Sequence, residues 1–231
     1  MRIGILFAMK EELDSLLSKM NLKNSFEIFD LVFYECEKDG ISCILVECGV
    51  GKVNAARCTQ IMIDNIKVDY IINIGIAGGI TSDLDICDIV VGEKLVQHDF
   101  DITAFDHEKG YIPNVGTYIE TDEYLRRIAL ENSEGFNVKT GVIASGDIFV
   151  TEEKMSNKIN SKFGALCVEM EGASIAQVCY LSHIPFLIIR SISDSPKKGN
   201  NKITYEEFIK TSSDIVSKFV NNILKSLSKV Q

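Results

Sequence analysis

Two stretches of the sequence decide how this chain folds: FLIIRSISD at Phe186–Asp194 and VEMEG at Val168–Gly172. The first predicts a β-strand over Phe186–Ser191, because its apolar residues run on with almost no polar alternates, as in strands covered on both faces. Arg190 and Asp194 lie at the far end of this run, and the second stretch holds two carboxylates in a short acidic turn. Burying charged groups is costly. Their positions therefore indicate a site with a chemical task.

Short apolar runs alternate with segments of helical period over most of the chain. The predicted strands are Arg2–Phe7, Leu31–Glu37, Ile41–Glu47, Tyr70–Ile74, Ile89–Val96, Lys139–Ala144, Ala165–Val168 and Phe186–Ser191. The predicted helices are Lys10–Met20, Val53–Ile66, Asp122–Asn132, Glu152–Phe163, Gly172–Ser182 and Tyr205–Leu227. This alternation predicts an α/β fold, a three-layer α/β/α sandwich around a central mixed, mostly parallel twisted sheet. The second and third strands form a hairpin.

Length and composition point to a folded protein with a small-molecule partner. The chain has 231 residues, of which 46% are hydrophobic and 25% charged, and we expect a single domain over residues 1–231. Its net charge of −9 disfavours nucleic acid or an anionic membrane as a partner, since both attract clustered Lys and Arg. The apolar run Ile3–Met9 is interpreted as a first strand, not a signal peptide, because charged residues follow at once.

The cysteines and histidines show no pattern of a disulfide framework or a metal site. The 7 cysteines are odd in number, scattered and without a C-x-x-C pair, so reduced and mostly buried thiols are expected. Reduced thiols indicate the cytoplasm. The 3 histidines have no metal-ligand spacing, and we expect neither a metal nor a cofactor.

Two glycine-rich segments do not match the nucleotide-binding loops that they superficially suggest. The segment Gly49–Val53 lacks both the four-residue gap between glycines and the Ser or Thr after Lys that a phosphate loop requires. The segment Gly75–Gly79 follows a strand, but its glycine spacing is not that of a dinucleotide fingerprint. No G-x-S-x-G elbow is present. Triphosphate, nicotinamide and serine-hydrolase chemistry are all disfavoured.

Four polar or glycine-rich patches lie at or just after the ends of predicted strands. They are Ala8–Glu12, Gly75–Gly79, Ser145–Val150 with Glu169–Glu171, and Ser193–Asp194. Ligands of open α/β sheets bind in the crevice at the carboxyl ends of the strands. We therefore expect these patches to converge on one site.

Taken together, these segments resemble the nucleoside phosphorylase superfamily, and most closely its 5′-methylthioadenosine/S-adenosylhomocysteine nucleosidases. The resemblance covers essentially the whole chain and is carried by a G-A-G-G-like loop, S-G-D-x-F, V-E-M-E-G and R-x-I-S-D in this order. It implies a nucleoside phosphorylase-like fold. It also implies hydrolysis of the N-glycosidic bond of adenine nucleosides, including 5′-deoxyadenosine, through an oxocarbenium-like transition state.

The resemblance implies catalytic roles for four residues. Asp194 would protonate adenine N7 as the general acid, and Glu12 would hold the attacking water, with Glu11 on the opposite side of the turn. Glu171 would bind the ribose hydroxyls, with Arg190 as the charged partner that orients Glu171 or the water. Each residue also has a structural alternative: Asp194 as a helix cap, Glu12 as a surface group in a first helical turn, and Arg190 with Glu171 as a structural pair.

The resemblance further implies a pocket for the rest of the nucleoside. Phe149 would stack on adenine while the Val150 backbone pairs with the base edge. The other residues implied on the same chain are Met9, Val50, Ile76, Ala77, Gly78, Glu169, Met170, Ser193 and Tyr205. Phe105, His107 and Pro113 match positions that the family contributes from a neighbouring subunit, so a homodimer is expected. Ile76, His107 and Tyr205 depart from common family residues, which leaves the preference among 5′ groups open.

Three alternative functions compete with this interpretation. A purine nucleoside phosphorylase would need Arg or Lys near the loops at Met9 and Gly75, where Glu12 instead would repel a phosphate dianion. A hydrolase of futalosine-type nucleosides would share the same chemistry. A nucleoside-binding module without turnover would be expected to lack the acid or the base, and this chain has both.

Overall fold

The apolar runs of the sequence form the strands of one sheet in a computed structural model of the protein. The structure describes residues 1–194 and 202–228, with side chains from residue 210 onward in the second range. The strands are β1 Arg2–Phe7, β2 Asn21–Ile28, β3 Leu31–Lys38, β4 Ile41–Glu47, β5 Tyr70–Gly79, β6 Ile89–Gln97, β7 Ile119–Glu120, β8 Val138–Ser145, β9 Ala165–Glu169 and β10 Phe186–Asp194. The helices are α1 Lys10–Leu17, α2 Lys52–Ile61, α3 Glu123–Glu131, α4 Glu153–Phe163, α5 Gly172–Leu181 and α6 Lys202–Leu227.

Five strands of the sheet pair in a closed ring. β10 lies parallel to β5 and antiparallel to β6, and β6, β8 and β9 follow one another in parallel. β9 completes the ring through a short antiparallel pairing with β5, in which Gly78 faces Val168. Beyond the ring, β1 and β4 continue the sheet in parallel, and β3 and β2 add an antiparallel edge. The predicted mixed α/β fold is confirmed, and closure into a ring is an additional feature.

Helices cover both faces of the sheet and give the predicted three layers. Neighbouring residues of one strand pack in different apolar clusters on the two faces of the sheet. Ile188 packs with buried residues of α2 and α5, whereas Leu187 packs with those of α1, α3 and α6. The same division separates Ile71 from Ile72 on β5. Because successive side chains of a strand point to opposite faces, a strand between two helical layers must be apolar at both kinds of position.

The secondary structure differs from the predictions mainly at edges and helix ends. β2 was not predicted, because most of its residues are exposed on the sheet edge and its sequence NLKNSFEI carries no apolar run. The first helix ends at Leu17 instead of Met20, and the second passes into a π-helical turn over Met62–Ile66. The two-residue strand β7 was also missed. Tertiary pairing, not local sequence pattern, defines such short or exposed strands.

The seven cysteines carry free thiols, six of them buried and Cys87 partly exposed. Within residues 1–194 and 202–228, no group of His, Cys, Asp or Glu side chains is arranged to hold a metal ion. No helix in the same ranges is both long and apolar enough to cross a membrane.

The packing of α6 makes a testable prediction about stability. Phe219 is fully buried and makes an edge-to-face contact with Phe136, with ring centroids 5.2 Å apart. We expect Phe219→Ala to lower the free energy of unfolding by about 3–5 kcal/mol, because it leaves a cavity in the core. Phe29, which is 74% exposed, provides the control: Phe29→Ala should change it by less than about 0.5 kcal/mol. Urea denaturation measures both, and equal unfolding midpoints would contradict the proposed packing.

Candidate active site

The ends of β1, β5, β9 and β10 and the loop after β8 enclose a cavity of about 150 Å³. Its lining residues are Ala8, Met9, Glu12, Val50, Ile76, Ala77, Gly78, Ile148, Phe149, Val150, Val168, Glu169, Met170, Glu171, Ser193 and Asp194. The four patches that the sequence placed at strand ends therefore do converge. We refer to this space as the strand-end cavity.

Glu12 lies in the first turn of α1, with its carboxylate turned inward. One oxygen accepts hydrogen bonds from the backbone N–H groups of Ala8 (3.1 Å) and Met9 (3.0 Å), and the other from that of Ile76 (3.0 Å). Burial raises the pKa of Glu12 above its usual value, against the opposing effects of the Arg190 charge and these hydrogen bonds. Glu12 is 2% exposed, whereas Glu11 is exposed on the other side of the turn, as predicted.

Gly75 gives the Glu12 carboxylate the space it needs. A Cβ atom at residue 75 would lie 2.8 Å from Glu12 Oε1 and 3.5 Å from Arg190 Nη1. The first distance is shorter than Cβ contacts allow, so any other residue here would displace the carboxylate or the backbone. The glycine is thus required by close approach of a charged side chain, not by an unusual backbone angle.

Asp194 reaches the cavity from the last position of β10. The register with β5 shifts between Ile192 and Asp194, so that Ile192 faces Ala77 and Asp194 faces Gly78. The Ser193 hydroxyl donates a hydrogen bond of 2.7 Å to Asp194 Oδ1. Asp194 is 7% exposed, and burial raises its pKa while the Ser193 hydrogen bond opposes the shift.

Arg190 forms its ion pair with Glu169, not with Glu171 as the sequence suggested. Arg190 Nη2 lies 2.5 Å from Glu169 Oε2, with both side chains 2% exposed, and also donates to Asn73 Oδ1. Glu169 further accepts hydrogen bonds from the Ser145 hydroxyl and from the backbone N–H groups of Glu171 (3.0 Å) and Gly172 (2.7 Å). Burial acts to raise the pKa of Glu169, but the Arg190 charge and these hydrogen bonds outweigh it and the pKa is lowered.

Glu171, by contrast, has few partners within the protein. It is the N-cap residue of α5, and its Oε1 accepts a hydrogen bond of 2.8 Å from the Gly51 N–H. Burial raises the pKa of Glu171, and the negative charge of Glu169 raises it further, while the Arg190 charge opposes both. A carboxyl with a spare oxygen at the cavity wall is suited to accept hydrogen bonds from a ligand.

The remaining cavity wall is largely apolar and partly open. Phe149 is 57% exposed and Val50 is 48% exposed, whereas Val150 is 5% exposed. Met9, Ala77 and Met170 are among the lining residues that add apolar surface. An exposed aromatic ring at the mouth of an apolar cavity is typical of a surface that a planar ligand can cover.

Several predicted residues lie elsewhere. Arg190 is buried beneath the cavity floor and does not line it. Phe105, His107 and Pro113 are exposed and absent from the cavity wall, and His107 stacks on Tyr111 with ring centroids 4.6 Å apart. Tyr205 lies outside the described side chains.

Three further residues support the site although the sequence analysis gave them no individual role. Asn73 accepts from Arg190 and donates a hydrogen bond of 3.0 Å to the Leu6 carbonyl. Ser145 donates to Glu169, and its oxygen accepts from the Ala173 N–H at 2.7 Å. The third is Gly51, which holds Glu171. A signal existed for Asn73, because a polar amide in the apolar strand YIINIG needs a buried partner.

This fold and site define a protein of the phosphorylase superfamily, whose family model matches residues 2–228 of the chain. The chain is 39% identical to the 5′-methylthioadenosine/S-adenosylhomocysteine nucleosidase of Geobacillus sp. (strain WCH70), over 99% of this chain and 100% of that one. The chain belongs to this nucleosidase family.

Solved structures agree with the family. S-adenosylhomocysteine nucleosidase from Streptococcus pyogenes, in complex with 5-methylthiotubericidin, has a TM-score of 0.92 at 34% identity, covering 98% of this chain and 97% of that one. Futalosine hydrolase of Helicobacter pylori strain 26695 also has a TM-score of 0.92 at 34% identity, covering 97% of each chain. The same fold is thus found both in an S-adenosylhomocysteine nucleosidase and in a futalosine hydrolase.

The two neighbouring glutamates should differ sharply in their contribution to stability. We expect Glu169→Gln to lower the free energy of unfolding by about 3–5 kcal/mol, because it leaves the buried Arg190 charge without its counter-ion. Glu171→Gln is the matched control and should change it by less than about 1 kcal/mol, since Glu171 loses at most one hydrogen bond. Urea denaturation near neutral pH measures both. Similar losses for the two variants would contradict the assigned ion pair.

Proposed function

We propose that the protein hydrolyses the N-glycosidic bond of 5′-methylthioadenosine and S-adenosylhomocysteine, and of 5′-deoxyadenosine, releasing adenine and the 5-substituted ribose. The observation that carries the proposal is that Glu12 and Asp194 line one cavity, each with a pKa raised by burial. Cleavage of a glycosidic bond uses one carboxyl as an acid and one as a base. The names of the curated relatives supply the substrates.

Asp194 acts as the general acid toward adenine N7. A general acid must keep its proton until the leaving group takes it, and burial raises the pKa of Asp194 in this direction. The Ser193 hydroxyl donates to Oδ1, and Oδ2 lies beside Gly78. We assign the transferred proton to Oδ2, the oxygen that Ser193 does not contact.

Glu12 holds the attacking water and receives its proton. Its three backbone hydrogen bonds fix the carboxylate, so the orientation of the water does not depend on a mobile side chain. Oxygen acceptors have more than one lone pair, which leaves capacity for the water. The raised pKa of Glu12 brings it nearer to that of an effective base at neutral pH.

The other lining residues bind the substrate. Glu171 accepts hydrogen bonds from the ribose hydroxyls, Met170 packs against the sugar, and Phe149 and Val150 hold the adenine. Arg190 acts as a positioning residue, because it reaches the cavity only through Glu169, which in turn holds the backbone N–H of Glu171.

A second subunit completes the pocket for the 5′ group. On the same chain, Met9 and Val50 line this end of the pocket, and Tyr205, which the sequence also assigned to it, lies outside the described side chains. Phe105, His107 and Pro113 extend to the partner's cavity in a homodimer. In support, Phe105 is 76% exposed, which leaves a large apolar side chain uncovered in one subunit.

Hydrolysis of futalosine-type nucleosides is a second candidate function, favoured by the similarity to the Helicobacter pylori futalosine hydrolase. Phosphorolysis is disfavoured, because the described residues that line the strand-end cavity include no Lys or Arg to bind phosphate. The strand-end cavity also retains both carboxyls, against a binding module without turnover.

Chromatographic detection of adenine tests the reaction. We expect free adenine from 5′-methylthioadenosine, S-adenosylhomocysteine and 5′-deoxyadenosine in buffer without phosphate, at a rate that added phosphate does not change. Release that requires phosphate would contradict hydrolysis. Release of the purine base from futalosine, with none from the three adenine nucleosides, would favour the second candidate function.

Variants of the two acids test their roles. Asp194→Asn should lower kcat by about 10²–10⁴-fold, because an amide cannot donate the proton to the leaving base, and Glu12→Gln should do the same through the water. Both variants should still bind an adenosine analogue, which calorimetry can measure. The conservative Glu11→Gln change on the exposed side of the same turn is the control and should leave kcat unchanged. Near-normal turnover in either site variant would overturn the role given to that residue.

A further inference from the structure

A second cavity, of about 360 Å³, lies between α4 and the segment after β6. It shares no lining residue with the strand-end cavity. Its wall contains four lysines, Lys109, Lys154, Lys158 and Lys162, against a single carboxylate, Glu152. In a chain with a net charge of −9, this concentration of positive charge is a marked local reversal. We call it the lysine cavity.

The lysines of α4 are arranged on one face, and none of them forms a close ion pair among the described residues. Lys154, Lys158 and Lys162 follow one another at intervals of four residues, which places the Cβ atoms of successive lysines about 5–6 Å apart on one face of the helix. Within the described residues, none of these three has a carboxylate within 4.0 Å, whereas Lys109 lies 3.8 Å from Asp101. Asp101 is the nearby acid: hydrogen bonds lower its pKa, and the charges of Lys109 and Lys158 both act in the same direction. Like charges at this spacing destabilise a helix, so an anion bound between them would relieve the repulsion.

The floor of the lysine cavity is apolar. Ile159 and Phe163 are each 5% exposed, and Met155 lies beside them. His98 closes the inner side and is 3% exposed, with its Nε2 packed against Gly146, where a Cβ atom would lie only 2.4 Å away. The cavity therefore combines a cationic rim with an apolar floor.

We propose that the lysine cavity is a binding site for a small phosphomonoester that carries an aromatic or other apolar body. Ammonium groups bind phosphate as point charges and need no planar alignment. Lysines four residues apart on a helix have Cβ atoms about 5–6 Å apart, so the ammonium groups of two of them can contact different oxygens of one phosphate dianion. The apolar body covers Ile159 and Phe163, which free phosphate cannot do. The two cavities share no lining residue within the chain, and the binding test below does not depend on nucleoside hydrolysis.

Isothermal titration calorimetry with phenyl phosphate, inorganic phosphate and phenol tests the proposal on the full-length protein. We expect phenyl phosphate to bind at least about fivefold more tightly than inorganic phosphate, because burying the ring adds hydrophobic free energy. Phenol should bind no more tightly than inorganic phosphate. In the double variant Lys158→Gln/Lys162→Gln, the affinity for phenyl phosphate should fall about tenfold or more, since both cations are lost.

The matched control is Lys225→Gln, an exposed lysine on α6 that should leave the affinity unchanged. Thermal unfolding of each variant checks that it is folded, and Lys158→Gln alone replaces the double variant if that one unfolds. Equal affinity for phenyl phosphate and inorganic phosphate would overturn the apolar part of the site. No binding of phenyl phosphate at millimolar concentration, or binding that persists in the lysine variant, would overturn the site itself.

Discussion

The ion pair between Arg190 and Glu169 is the interaction on which the candidate site depends. It is almost fully buried, and it joins β10 to β9, to Asn73 on β5 and to Ser145 on β8. Taking two charges out of water is costly, and the cost is offset only when further hydrogen bonds satisfy both groups. Here the Glu169 carboxylate also accepts the first N–H groups of α5, where the helix dipole favours negative charge. Four strands and one helix are thereby fixed at the same end of the sheet.

This arrangement also divides the carboxyls into two classes. Glu169 takes the direct contact with Arg190, and its pKa is lowered. Glu171, Glu12 and Asp194 are buried without a cation in hydrogen-bonding distance among the described residues, and the pKa of each is raised. Buried carboxyls favour the neutral form unless a cation or several donors compensate. The structural pair therefore uses the available positive charge, and the cavity keeps acids whose protons can be exchanged.

The sequence predicted the parts of the fold that rest on local pattern. Apolar runs identified the central strands, and patches at their ends predicted the site, because both follow from side-chain period and from the geometry of α/β sheets. The sequence did not show which of Glu169 and Glu171 pairs with Arg190, because two acids two residues apart are equally plausible partners before the tertiary structure is known. The difference is tertiary: Glu169 is the last residue of β9, whereas Glu171 caps α5. The polar edge strand β2 and the ring closure likewise depend on long-range pairing.

The register shift at the end of β10 shows how one irregularity turns a core strand into part of a site. In a regular strand, residues two apart face the same side, and Asp194 would follow Ile192, which is fully buried in the apolar cluster beneath α2 and α5. The shift places two steps of β10 against one step of β5, from Ala77 to Gly78. Such a bulge re-aims a side chain. The redirected carboxyl lies beside Gly78 in the cavity wall, while the backbone of Asp194 stays paired in the sheet.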